Sequence, residues 1–305
     1  VTGLEDNTIK WVMTALLTLV LFYTILGGMF SIVLTDYVQF VVLSVGLIVT
    51  TLFALNELGW EHIVKGVESL KGEGGFDPIA SGEFGTDYVI WMVFGGLVSC
   101  AIWQTAVMRA CAAHSAEDVK RIYTWSSIGF LIRFLIPNFI GLCALVYFAD
   151  NPDLFSEDPE GTGVTSLHAM PRFLGILLPS GLLGLVVAGM LAAFMSTHDS
   201  YLLCWSSVLT QDVIAPLGGD RMSTGSRLKL TRLLIFAIGI FLLTWSLWYE
   251  LGQDLWDYMA ITGAIYFTGA FALLVAGLYW KRASRVGAYL ALTVGLSAVL
   301  GLMPI

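Results

Sequence analysis

Long apolar runs broken by short polar stretches repeat along the whole chain. Hydropathy windows of about 19 residues predict spans at 10–30, 31–55, 88–109, 122–149, 174–210, 230–250, 256–280 and 286–304. Each is close to the length of about 20 residues that carries a helix across a bilayer. A membrane β-barrel would instead show alternating segments of about 10 residues, and none is seen. The pattern predicts an all-α, polytopic membrane protein of about eight transmembrane helices.

The polar stretches alternate in charge. Segments 109–121, 211–232 and 281–285 hold Arg109, Lys120, Arg121, Arg221, Arg227, Lys229, Arg232, Lys281, Arg282 and Arg285, which places them on the cytoplasmic side. The intervening segments 56–87, 150–173 and 250–257 hold only Lys65, Lys71 and Arg172 as cations. They carry Glu57, Glu61, Asp77, Asp153, Glu157 and Glu250, so they are predicted outside, together with Val1 and Ile305. Turn-forming pieces, Gly72-Glu73-Gly74-Gly75 and Gly161-Thr162-Gly163, fall in the outer loops.

Composition agrees. The 305 residues are 57% hydrophobic and 12% charged, with a mean hydropathy of +0.81, which excludes a soluble enzyme. The net charge of −8 is distributed by loop, and nucleic acid is not an expected partner. Cys100, Cys111, Cys143 and Cys204 lie in or beside apolar runs without metal-ligand spacing and read as small hydrophobes. The chain starts at Val1 with no signal-peptide pattern, so it reads as an internal piece of a longer chain.

Charged and polar groups inside a span need a partner, a wet cavity or a task. Arg133 is predicted near the bilayer midplane, one turn before Pro137: it either contacts a solute in a central cavity or pairs with an acid on another helix. Ser196, Thr197, Asp199 and Ser200 supply four side-chain oxygens within five residues, suited to a hard cation. The other reading of that cluster is hydroxyls bonded back to their own helix. Asp36, after Gly27-Gly28 and one turn before Gln39, is either an interface acid or part of an ion path. Gly95-Gly96 marks either a broken helix or a close helix crossing. Gln104, beside Trp103 and Arg109, is a further polar candidate. His198 next to Asp199 raises an alternative, a membrane-embedded acid/base enzyme, although neighbours on a helix diverge by about 100°.

Three ordered motifs point one way. The run Gly27-Gly28 through Thr35-Asp36-Tyr37-Val38-Gln39, the run Ala192-Ala193-Phe194-Met195-Ser196-Thr197 with Ser206-Ser207-Val208-Leu209-Thr210-Gln211-Asp212, and Gly277-Leu278-Tyr279-Trp280-Lys281-Arg282-Ala283 resemble the sodium/solute symporter family. This family includes sodium-coupled sugar, proline and sialic acid transporters. The resemblance covers nearly the whole chain and implies a LeuT-like inverted-repeat fold. Residues 1–305 would then be one partial transporter domain, with core helices four to ten and one peripheral helix. Core helices one to three would be missing.

Position by position, the resemblance implies sodium binding at Ala193, Ser196 and Thr197, the first through its carbonyl. Asp36, Asp199 and Ser200 match a second cation site or ion exit path, with Asp199 standing where the sialic acid branch has a hydroxyl. Arg133 matches a solute-contacting lysine of the sugar branch, and Trp103-Gln104 replaces that branch's Asn-Gln. The implied function is sodium-coupled symport of a small polar or anionic solute by alternating access in the cell membrane. Its partners would be sodium, the solute and the lipid bilayer, with no organic cofactor. A transporter-like sensor domain of a longer signalling protein is the third reading.

Overall fold

The computed structural model describes residues 6–80, 85–155, 168–219, 221–248 and 255–302. Glu157, Gly161-Thr162-Gly163, Glu250, Val1 and Ile305, named above for the outer loops and chain ends, lie outside the described residues. In chain order the helices are α1 (Asp6–Leu58), α2 (Trp60–Lys71), α3 (Gly85–Ile102), α4 (Gln104–Cys111), α5 (Ala116–Asp150) and α6 (Ala169–Leu177). They continue with α7 (Ser180–Val208), α8 (Ala215–Leu217), α9 (Thr224–Trp248), α10 (Leu255–Tyr279) and α11 (Arg285–Leu296). Among the described residues six stretches are long and apolar enough to cross a membrane, and Arg285–Leu300 is a shorter apolar helix.

The first of these stretches, Lys10–Leu58, has 49 residues. At 1.5 Å per residue it would be roughly 74 Å long, more than twice a hydrocarbon core of about 30 Å. The chain resolves the mismatch at Gly28, whose φ of 58° and ψ of −152° lie in a region open essentially to glycine. Two spans were expected here, meeting at 30–31, and the break falls at Gly28.

The chain divides into two compact units. The first comprises residues 1–77 and 114–247. Here both halves of α1 pack along α7. Beyond the break, a Cβ built on Gly189 would lie 3.3 Å from the Leu43 Cα, and one on Gly46 would lie 3.4 Å from the Leu185 carbonyl oxygen. These close approaches need small residues. Before the break, Tyr23 reaches Asp199 of the same helix. A core of Ile63, Ile140, Cys143, Phe148, Phe173 and neighbours joins α1, α2, α5 and α6. Ser115 caps α5 by accepting the Asp118 N–H at 3.1 Å, and its own hydroxyl donates to the Asp118 carboxylate.

The span expected at 174–210 is cut at Leu178-Pro179. Leu178 is extended, with φ −89° and ψ 136°, because a following proline disfavours the helical region. The uninterrupted apolar stretch is Ser180–Leu217, with Ser196–Ser200 at its centre. Past Val208 it passes through a π-helical turn, Leu209–Ile214. There Thr231 of α9 donates to the Thr210 hydroxyl at 3.0 Å, and Arg227 donates to the Gln211 side chain.

The second unit comprises residues 78–113 and 248–305. Gly269 of α10 and Gly295 of α11 face each other so closely that a Cβ on Gly295 would lie 2.7 Å from the Gly269 nitrogen. Small residues set this crossing. α3 runs straight through Gly95-Gly96, and within this unit nothing approaches either glycine. The broken-helix expectation for the pair is corrected. The helix breaks instead at Trp103, whose φ of −63° and ψ of 108° separate α3 from α4.

Candidate functional site

The centre of α7 gathers the oxygens that the sequence singled out. A residue four positions on stands one turn higher on the same helical face, and one three positions on is its neighbour. Thr197 Oγ1 thus donates to the Ala193 carbonyl at 2.8 Å and Ser196 Oγ to the same oxygen at 3.1 Å. This is the back-bonding expected of hydroxyls in apolar helices. It also brings three neutral oxygens to one point, and rotation of the two O–H bonds turns their lone pairs outward. Thr197 is exposed while Ala193 and Ser196 are partly buried. Such a set of hydroxyl and carbonyl oxygens fits a hard cation. Among the described residues no cluster of His, Cys, Asp or Glu has the makings of a transition-metal site.

One turn along, Asp199 is fully buried. Its Oδ2 accepts the Tyr23 hydroxyl at 2.7 Å and its Oδ1 accepts the Ser200 hydroxyl at 3.2 Å. Burying a carboxylate costs several kcal/mol unless hydrogen bonds replace water, and these two bonds do that in part. The Tyr23 oxygen also lies 3.4 Å from the Met195 carbonyl. Gln39 and Asp36, one turn apart on α1 beyond the break, lie within electrostatic reach of the same hydroxyl. The Gln39 Oε1 is buried without a hydrogen-bond partner among the described residues. Of the three residues grouped from the sequence, Asp199 bonds Tyr23 directly, Ser200 bonds Asp199, and Asp36 lies within reach of the Tyr23 hydroxyl by charge alone. The Asp36 Oδ1 is buried, which sets aside the exposed interface acid.

The sequence does not single out Tyr23 as a polar group, because an aromatic ring sits naturally in an apolar run. Its signal was the phenol itself: a buried tyrosine hydroxyl usually needs a partner.

His198 and Asp199 diverge. The His198 Nδ1 is 2.8 Å from the Phe194 carbonyl, and its ring lies against Phe194 with centroids 4.0 Å apart. Asp199 turns to Tyr23 instead, so the two do not form a dyad.

The solute candidates fall in different units. Arg133, in the first, is exposed on α5 and has no ion pair or hydrogen bond among the described residues. Pro137, inside the helix, has no N–H for the Arg133 carbonyl, which loses its helical donor. The position thus presents a guanidinium and a released carbonyl. Trp103 and Gln104, in the second unit, sit at the α3–α4 break, with Trp103 against Phe267 at 6.1 Å between ring centroids.

A sequence model described as the sodium:solute symporter family matches residues 7–295. The chain is 26% identical over 311 residues to the sodium/sialic acid symporter SiaT of Proteus mirabilis, covering 97% of this chain and 60% of that protein. It is 24% identical to the sodium/proline symporter 2 of Staphylococcus saprophyticus, covering 95% of this chain and 55% of that one. With the sodium/pantothenate symporter of Escherichia coli the identity is 27%, over 90% of this chain and 54% of the relative. The chain thus spans less than two thirds of each of these proteins. Among solved structures, the substrate-bound outward-open state of a Na+-coupled sialic acid symporter matches with a TM-score of 0.75 at 22% identity. The match covers 98% of this chain and 66% of that one. The likeness is one of fold, and it agrees with the LeuT-like fold that the motifs implied. These relatives are sodium-coupled transporters, not enzymes.

Proposed function

The chain belongs to the sodium:solute symporter family, as a multi-pass membrane protein, and we propose that it works within a carrier that couples sodium to the inward movement of a small polar or anionic solute by alternating access. Sodium is held by the Ala193 carbonyl with the Ser196 and Thr197 hydroxyls. Asp36, Asp199 and Ser200 form a second cation site or the path by which an ion leaves. Arg133, Trp103 and Gln104 are the candidates for contact with the solute. The whole chain acts as one transporter domain in the cell membrane, with both ends on the outer side.

The observation that carries this reading is the convergence of Ser196 and Thr197 on one carbonyl at the centre of α7, one turn from a fully buried carboxylate. A cation bound there favours whichever arrangement of the helices completes its oxygen shell, and differential affinity is all that coupling requires. A membrane potential of 100 mV adds about 2.3 kcal/mol for each charge carried across.

The test is a sodium titration of tryptophan fluorescence on the full-length protein in detergent, at constant ionic strength with potassium as the control. Ten tryptophans in this chain report the change. A saturable response to sodium that Thr197→Ala abolishes and Thr197→Ser retains supports the site. Equal responses to sodium and potassium overturn sodium coupling, and an unaltered response in Thr197→Ala overturns the ligand assignment.

A further inference from the structure

We infer that Tyr23 is a positioning residue for the cation cluster of α7, acting through Asp199; the inference rests on the reading of Asp36, Asp199 and Ser200 as a cation site. One hydroxyl ties two helices together. The Tyr23 hydroxyl lies on α1 before the Gly28 break and donates to Asp199 on α7.

The chemistry of each bond gives the role. A phenol has a single proton to donate, and at 2.7 Å it goes to the Asp199 Oδ2. Ser200 donates to the other oxygen at 3.2 Å. Neither donor carries charge, so the pair orients the carboxylate without neutralising it. The Gln39 Oε1, on α1 after the break, is buried and makes no hydrogen bond among the described residues. An acceptor oxygen with no donor, close to carboxylates, has the electrostatics to meet a cation. Tyr23 thereby fixes the direction of Asp199.

The test uses the full-length protein with Tyr23→Phe, which keeps the ring and removes the hydroxyl, Asp199→Asn, and the two combined. Two quantities are read in each variant: the half-saturating sodium concentration by tryptophan fluorescence, and the rise in melting temperature that sodium produces over potassium. The second is internal to each variant, so a loss of stability in potassium does not obscure it. Tyr23→Phe is expected to raise half-saturating sodium about tenfold, the scale of a lost hydrogen bond to a charged group, and to shrink the sodium-dependent rise in melting temperature. The double variant is expected to be no weaker than Asp199→Asn alone. Unchanged sodium binding in Tyr23→Phe, or additive effects in the double variant, overturns the positioning role. If Asp199→Asn itself leaves sodium binding unchanged, the cation-site reading fails, and the inference fails with it.

Discussion

Replacing Gly28 with alanine tests whether the backbone break in α1 organises the site. At φ 58° and ψ −152° this residue occupies a region that side chains avoid, and a Cβ there would meet nothing within 4 Å. Steric contact is therefore excluded as a cause, leaving backbone strain of about 1–3 kcal/mol for a residue that carries a Cβ. Gly95 supplies the control. It lies inside regular helix, and a Cβ there also meets nothing within 4 Å, so Gly95→Ala is expected to stabilise by about 0.5–1 kcal/mol. The two substitutions differ in sign, and together they separate by about 1.5–4 kcal/mol. The assay is thermal melting of the full-length protein in detergent, paired with a sodium titration. Gly28→Ala is expected to lower the melting temperature and raise half-saturating sodium, because the break sets how the half of α1 that carries Tyr23 lies along α7. Equal shifts of melting temperature in both variants, or a Gly28→Ala protein indistinguishable from the unmodified one, would refute the reasoning.

Two further outcomes follow from the same geometry. Arg133→Leu is expected to raise the KM for an anionic solute at least tenfold, the scale of a lost charge-assisted contact, while leaving the sodium titration unaltered; uptake kinetics in vesicles read the first and fluorescence the second. His198→Ala is expected to leave half-saturating sodium unchanged, since its ring is spent on Phe194 and not on Asp199; a shift comparable to that of Asp199→Asn would show the two to be linked after all.

The membrane spans were legible because a single physical quantity, the length of apolar chain, marks them. The oxygens of Ala193, Ser196 and Thr197 were legible for a related reason: their contacts lie three and four residues apart on one helix, where sequence spacing is spatial spacing. Tyr23 and Asp199 are 176 residues apart, and nothing local announces their meeting. Breaks were read unevenly. Gly28, close to the span boundary expected at 30–31, breaks α1 without having been singled out for it, whereas Gly95-Gly96, read as a broken helix or a close crossing, stays helical. Glycine permits a positive φ without requiring one. Leu178-Pro179 carried a stronger signal, since proline constrains its predecessor, yet the apolar run on either side hid it in the hydropathy windows. Trp103 has no such signal, with neither glycine nor proline beside it, and its extended ψ of 108° was not legible.

The π-helical turn at Leu209–Ile214 has a bearing on how this helix can change over evolution. A π turn accommodates one residue more than an α turn while the helix carries on. One residue corresponds to roughly 100° around the axis, so every side chain beyond the turn is rotated by that amount relative to plain α-helical counting from Ser196. Thr210 and Gln211, which meet Thr231 and Arg227 of α9, lie within the turn itself. A single deletion here therefore acts as a rotation. It leaves the helix intact and the Ala193, Ser196 and Thr197 oxygens in place, and turns only the side chains that follow it.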